Sequence, residues 1–390
     1  MARFLDYTEE QKLIAKAAEE IIRDFGPEYW REKDMKHEWP AEFHEALAKA
    51  GFFGIMIPEK YGGSGLGLKE LLIATEVLTT GGAGAGAYAQ LLLPEIFGGV
   101  TIAKHGTEEQ KERYLPRLAK GDVACLALTE PDAGVNTFRI STMAVRDGDE
   151  YVINGRKIFI TGVDKAKLMV LVTRTSPYDP KNKTFGLSVF LVDLPNEAIE
   201  ITPIEKHGWN WEKTFNVYIS DLRVPKENLL GGKEGIGWWQ IVDTLNPERI
   251  MVAISAYGIG TAAINKAVEY AKKRVVFDAP IGSYQGVQFP LARAKARLEA
   301  AKLLTYKAAE LFDRGQQCFA EACMAAIDAI DAGIEAVFYS MHALGSYSYA
   351  IEYDIERWWR EIILFRLAPE PYNLLLSNVG RFVLGLPKSY

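Results

Sequence analysis

The sequence predicts a mostly α protein with a β domain in its middle, and three observations carry that prediction. Up to about residue 120, apolar residues recur with the 3.6-residue period of amphipathic helices. Between 123 and 225, β-branched and aromatic runs of strand length take over. From about 236 the helical period returns and lasts to about 381. Blocks in this order imply an α domain, a β domain and a second α domain, divided as 1–122, 123–235 and 236–390. The two helical blocks are expected to pack as one bundle beside a small sheet.

Each element has a local reason. Thr8-Glu-Glu-Gln11 is a capping box, and Leu13, Ile14, Ala17, Ile21 and Ile22 form the apolar stripe of the helix it opens. Trp39-Pro40 precedes a helix over 41–50 that Gly51 stops, and Pro58–Gly63 is a glycine-rich turn. Leu168–Thr173, Leu187–Asp193 and Asn216–Ile219 read as strands. Asp147-Gly148 and Asn154-Gly155 are hairpin signals.

Composition narrows the function. The chain has 390 residues and a net charge of −6, which argues against a nucleic-acid partner because such binding needs a basic face. No uninterrupted apolar run reaches the ~18–20 residues of a membrane span, and the first ten residues hold no apolar signal core. Cys125, Cys318 and Cys323 show neither metal-ligand spacing nor an even disulfide framework, so no metal is expected and a cytoplasmic location is the simplest expectation.

Two runs carry most of the functional information: Leu126-Ala-Leu-Thr-Glu-Pro-Asp-Ala-Gly134 and Ile153-Asn-Gly-Arg-Lys-Ile-Phe-Ile-Thr161. Each closes an alternating apolar–polar stretch with glycine or threonine, a strand end that lets backbone approach a flat ligand. Taken singly, Gly134 reads equally as turn chemistry and Phe159 as core. Together the runs resemble the flavin-facing strands of the acyl-CoA dehydrogenase family, and the resemblance extends over nearly the whole chain. It implies an N-terminal helical domain, a small β-barrel or sheet domain, a C-terminal four-helix bundle, and one FAD per subunit of a tetramer, homomeric or heteromeric. It further implies that Leu126, Leu128 and Thr129 present backbone and hydroxyl groups to the isoalloxazine edge, with Gly134 and Val135 at the pyrophosphate. Val135 stands where the family usually has serine. Phe159 takes the place of an aromatic beside the rings. Ile160 and Thr161 complete the strand end, and Thr161 takes the place that hydrogen-bonds flavin N5.

A second set lies in the C-terminal block. Tyr270-Ala-Lys-Lys-Arg-Val-Val-Phe277 and the following Gln285 resemble the family run whose Arg and Gln reach the FAD of a neighbouring subunit, which assigns Arg274, Phe277 and Gln285 to the cofactor. A guanidinium suits a pyrophosphate because its planar fork pairs two oxygens. The residues alone also read as a solvated basic patch at a helix C-terminus. His342-Ala-Leu-Gly-Ser-Tyr-Ser-Tyr349 aligns with a glycine-rich family run, placing His342, Gly345 and Ser346 near the same group, with Ser346 in place of a glycine.

The resemblance implies α,β-dehydrogenation of an acyl-CoA thioester to the 2-enoyl-CoA. A Glu takes the α-proton, flavin N5 takes the β-hydride, and an electron-transfer flavoprotein receives the electrons. In most of the family the base lies near the C-terminus. Here that place falls on Pro369, with Glu370 one residue away. A minority, including isovaleryl- and long-chain-type members, carries the base on a helix of the C-terminal domain, which assigns the role to Glu248 of Leu245-Asn-Pro-Glu-Arg249, followed by Arg249; some bacterial and archaeal members combine this Asn-Pro-Glu-Arg pattern with an Ala-Pro at the usual site and an ending like Leu384–Tyr390. Glu370 is the second choice. Read by themselves, Asn246-Pro247 form an N-cap and first helical residue with Glu248 in the first turn, or Pro247 lies inside a longer helix. Trp238 and Trp239 precede this run, where the family borders the acyl and pantetheine tunnel; the two indoles read either as shortening that pocket or as bundle core, and core packing is the expected role. Two alternatives stay open: a non-catalytic partner subunit of a heteromeric enzyme, and a flavin oxidase or monooxygenase on the same fold.

Overall fold

The computed structural model describes residues 6–388. The N-terminal block holds α1 (Glu9–Asp24), α2 (Pro27–Lys36), α3 (Ala41–Lys49), α4 (Leu68–Leu78), α5 (Ala85–Leu92), α6 (Thr101–His105) and α7 (Glu108–Ala119). The Thr8 box forms as expected: the Thr8 hydroxyl accepts from Gln11 N at 3.2 Å, and the Gln11 side chain accepts from Thr8 N at 3.1 Å. Thr107 and Gln110 repeat the device at α7.

The middle of the chain supplies β1 (Ala124–Ala127), β2 (Met143–Asp147), β3 (Glu150–Thr161), β4 (Leu168–Arg174), β5 (Leu187–Asp193), β6 (Ile199–Pro203) and β7 (Thr214–Pro225). They form one seven-stranded sheet in the order β1-β4-β2-β3-β7-β6, with β5 on β4. Asp147-Gly148 makes the β2–β3 hairpin, with Gly148 at φ 64°. Asn154-Gly155 does not make a turn. It lies inside β3, where the register against β7 shifts between Ile153 and Gly155. The glycine is there for a close approach: a Cβ would stand 2.3 Å from Thr142 Oγ1.

The C-terminal block holds α8 (Gly237–Lys273), α9 (Gln285–Asp313), α10 (Phe319–Leu344), α11 (Ile355–Ile362) and α12 (Tyr372–Phe382), with a two-residue-stranded hairpin, Val275–Val276 and Ala279–Pro280, between α8 and α9. Residues of α4 and α5 share one apolar core with α8, α9 and α10, so the two helical blocks do form one bundle. An 18-residue window of α8 is apolar enough to pass for a membrane span, but 89% of it is buried inside the protein. Pro247 is interior to α8, ten residues after Gly237, so Asn246 is no N-cap and Glu248 is not in a first turn. The helix continues through the proline because both its flanks are packed: Ile241 and Thr244 before it, and the run from Ile250 to Ile264 after it, are buried. Of the ending that fits the subgroup, Ser389 and Tyr390 lie outside the described residues.

Candidate active site

The two opening runs meet in space. Ile158 N donates to Thr129 O at 3.0 Å, and Lys157 Nζ donates to Leu128 O at 3.0 Å. A buried ion pair fastens them further: Lys157 Nζ lies 2.9 Å from Glu130 Oε1, with both side chains at 3% exposure or less. Glu130 also accepts from Ser141 N, Ser141 Oγ and Thr142 N. Burial pushes the Glu130 carboxyl up, but the Lys157 charge and these hydrogen bonds outweigh it and hold the group at about 2. Burial brings Lys157 down to about 8 against the pull of Glu130. This pair was not singled out from the sequence. Both residues sat inside the quoted runs, and an isolated Lys within a strand otherwise bound for a core was the available signal.

Around this clasp the expected ligand-facing groups stay open. Leu126, Leu128, Thr129 and Thr161 are half-buried, and Gly134 and Val135 are exposed. Phe159 is 61% exposed and sits at φ 59°, so it is no core residue. A large aromatic held outward in the left-handed region stores strain and presents a flat apolar face to a ligand. Ile160 turns its side chain into the β core, which leaves only its backbone for a cofactor. Leu126, Leu128, Trp238 and Leu245 all pack on one apolar cluster, which seats α8 against the end of β1. Trp238 is half-buried at 4.5 Å from Phe138, and Trp239 is 61% exposed, so the second indole is not the core residue expected. Its neighbours Gly237, Gln240 and Ile241 are buried, so Trp239 alone of this turn points to solvent.

One turn beyond Leu245, Glu248 is 5% exposed and its carboxyl makes no hydrogen bond or ion pair among the described residues. Burial drives its pKa up to about 8; Arg249 pulls down and Glu370 pushes up. Glu248, Arg249, Phe365, Pro369, Glu370 and Leu375 line a narrow pocket with room for about 10 Å³, on the order of one water molecule. Glu370 is differently placed. It accepts from Arg249 Nε at 2.5 Å and from Asn378 Nδ2 at 2.9 Å, while Arg249 also donates to Asn246 Oδ1 at 2.7 Å. The Arg249 charge is thus taken up by Glu370 and not by its chain neighbour.

A separate pocket of about 440 Å³ gathers much of the second set: Arg274, Phe277, His342, Gly345 and Ser346 line it, with Tyr270 and Tyr284. Arg274 follows the last turn of α8, Phe277 is 90% exposed at φ 51°, and Gly345 bends the chain at φ 59°. Gln285 does not line this pocket; it is exposed at the start of α9, beside Tyr284.

The strand-end cradle and the buried, unpaired glutamate thus sit in a three-block α–β–α chain. Comparison with known proteins gives the class. Family models for the acyl-CoA dehydrogenase N-terminal, middle and C-terminal domains match residues 8–122, 125–222 and 235–383. The chain is 37% identical over 386 residues to acyl-CoA dehydrogenase FadE12 of Mycobacterium tuberculosis, covering 98% of both chains. It is 35% identical over 364 residues to the caffeyl-CoA reductase-Etf complex subunit CarC of Acetobacterium woodii, covering 93% of this chain and 94% of that one. The structure of butyryl-CoA dehydrogenase from Megasphaera elsdenii superposes with a TM-score of 0.91 at 30% identity, covering 98% of this chain and 100% of that one. The chain belongs to the acyl-CoA dehydrogenase family, whose members bind FAD. The residues present fit that cofactor: the cradle of Thr129, Gly134, Val135, Phe159 and Thr161 is open, and a Cβ at Gly134 would meet nothing within 4 Å.

Proposed function

We propose that this chain dehydrogenates an acyl-CoA thioester to the 2-enoyl-CoA with Glu248 as the base. The setting of Glu248 carries the reading: a buried, unpaired carboxyl on the helix that seats against the cofactor cradle. A base near neutral pKa combines a usable ionised fraction with proton affinity. Glu370 is the weaker choice because its oxygens are already committed to Arg249 and Asn378. Arg249, anchored by Glu370 and Asn246, shapes the floor of the pocket. FAD, when bound, would supply the two-electron acceptor for the β-hydrogen. Phe159 would flank its rings and Thr161 would face N5, while Leu126, Leu128, Thr129, Gly134 and Val135 would hold its edge and pyrophosphate. In a tetramer the pocket at Arg274, Phe277 and His342 would hold part of a neighbouring subunit's FAD, with Gln285 nearby. An electron-transfer flavoprotein is the proposed electron acceptor, supported by the Etf complex named for CarC.

Reduction of a 2-enoyl-CoA uses the same groups in reverse, and the reductase among the relatives favours it as the second reading. Anaerobic mixing of the holoprotein with acyl-CoAs of varied length and branching tests both. Bleaching of the visible flavin band by a saturated acyl-CoA is the expected result. A colourless protein that FAD does not reconstitute would overturn the proposal, as would rapid turnover on oxygen without a flavoprotein acceptor.

A further inference from the structure

We propose that Lys206 is a positioning residue that, through Thr214, fixes the Thr161 hydroxyl as an outward hydrogen-bond donor. The inference rests on the reading above that places flavin N5 at Thr161. Thr161 ends β3 and Thr214 begins β7, and the two are register partners whose hydroxyl oxygens lie 3.1 Å apart. Lys206 comes from the segment after β6. Its ammonium donates to Trp209 O at 3.2 Å, to Glu212 O, and to Thr214 Oγ1 at 3.2 Å.

The direction of the chain follows from counting donors. An ammonium has three hydrogens and no lone pair, and all three hydrogens are used. Thr214 Oγ1 must therefore accept from Lys206. Thr214 is 6% exposed, so water is not a ready partner for its own hydrogen. The acceptor in reach is Thr161 Oγ1, and a buried hydroxyl left without one is costly. Thr161 then accepts from Thr214, and its own hydrogen points to the open side of the strand end. Burial lowers the Lys206 pKa to about 8 against the opposing pull of nearby acidic side chains, so the ammonium prevails at neutral pH.

A fixed donor suits one redox form over the other. In the oxidised ring N5 carries a lone pair and accepts; in the reduced ring it carries a hydrogen and needs an acceptor. Lys206 and Thr214 therefore hold the bound cofactor toward its oxidised form. Neither residue touches the cofactor in this account; both act through Thr161.

The midpoint potential of FAD in the purified holoprotein, with its visible spectrum, tests this. Thr214→Val removes the link while leaving Lys206 its two carbonyl partners. One mispaired hydrogen bond of about 1 kcal/mol shifts the reduction equilibrium about fivefold toward reduced flavin, on the order of +20 mV for a two-electron couple. Thr214→Ser restores the wild-type potential, which a purely structural role for the methyl group would not do. Lys206→Met moves the potential in the same direction and decides the matter if Thr214→Val does not fold. Thr161→Val separates the two levels of argument. If Thr161→Val leaves potential and spectrum unchanged, N5 is not at Thr161 and the underlying reading fails. If Thr161→Val shifts them while Thr214→Val and Lys206→Met do not, or lower the potential, the positioning role is refuted alone.

Discussion

Replacing Glu370 by glutamine should make the enzyme faster at neutral pH, an outcome specific to Glu248 being the base. With its pKa at about 8, Glu248 is ionised in only about one molecule in eleven at pH 7. Two of the influences on it pass through Glu370. The Glu370 charge opposes ionisation directly, and its ion pair with Arg249 occupies the cation that favours it. Both carboxyls line the same small pocket. Even at ~12 Å a unit charge at an effective dielectric of ~20 is worth about 1.4 kcal/mol, or about one pKa unit. Glu370→Gln should thus move the acid limb of kcat/KM down by about one unit or more, raising the rate at pH 7 about fivefold. The assay is a pH profile of flavoprotein-coupled turnover with one acyl-CoA, wild type beside variant. An acid limb that stays put or moves up, or a rate loss like that of a missing base, would refute the reasoning.

Thermal stability should fall as pH rises from about 6 to 9, because burial raises the carboxyls of Glu95, Glu212 and Glu248 to about 8 and raises Glu361 as well. The folded protein then holds protons that the unfolded chain has released above its pKa of about 4.5, so stability is greatest near the acid end and is lost through about pH 8; a melting temperature that climbs over this range contradicts the burial argument. Glu248→Gln should flatten the slope. Lys157→Met strands the buried Glu130 carboxylate and should cost about 3–5 kcal/mol in denaturant unfolding, with FAD loss as a companion effect; a change below about 1 kcal/mol would show the clasp to be incidental. Phe159→Ala, at a 61% exposed position, should weaken FAD retention in a gel-filtration assay while leaving apoprotein stability within about 0.5 kcal/mol.

The fold was legible because its signals are local and periodic. The Thr8 box, the 187–193 strand and the return of the helical period near 236 rest on short-range spacing, and the structure has all three. What spacing did not reveal depends on packing from afar. Asn154-Gly155 has the composition of a turn, but the glycine serves the close approach of Thr142. Asn246-Pro247 has the composition of a helix start, yet the buried flanks of α8 carry the helix across it. Trp239 looks apolar enough for a core and faces solvent. The cofactor cradle was readable as a resemblance, since its residues lie in two contiguous runs. The Lys157–Glu130 clasp and the Arg249–Glu370 pair join residues 27 and 121 positions apart, and no pattern along the chain announces such pairings.

The most direct test of the account is the anaerobic half-reaction of Glu248→Gln beside Glu370→Gln, each loaded with FAD and mixed with the acyl-CoA that bleaches the wild type. The account predicts that Glu248→Gln binds the thioester but reduces its flavin at least about a hundredfold more slowly, while Glu370→Gln bleaches at or above the wild-type rate at pH 7. Full-rate bleaching in Glu248→Gln, with the loss falling on Glu370→Gln instead, would contradict it.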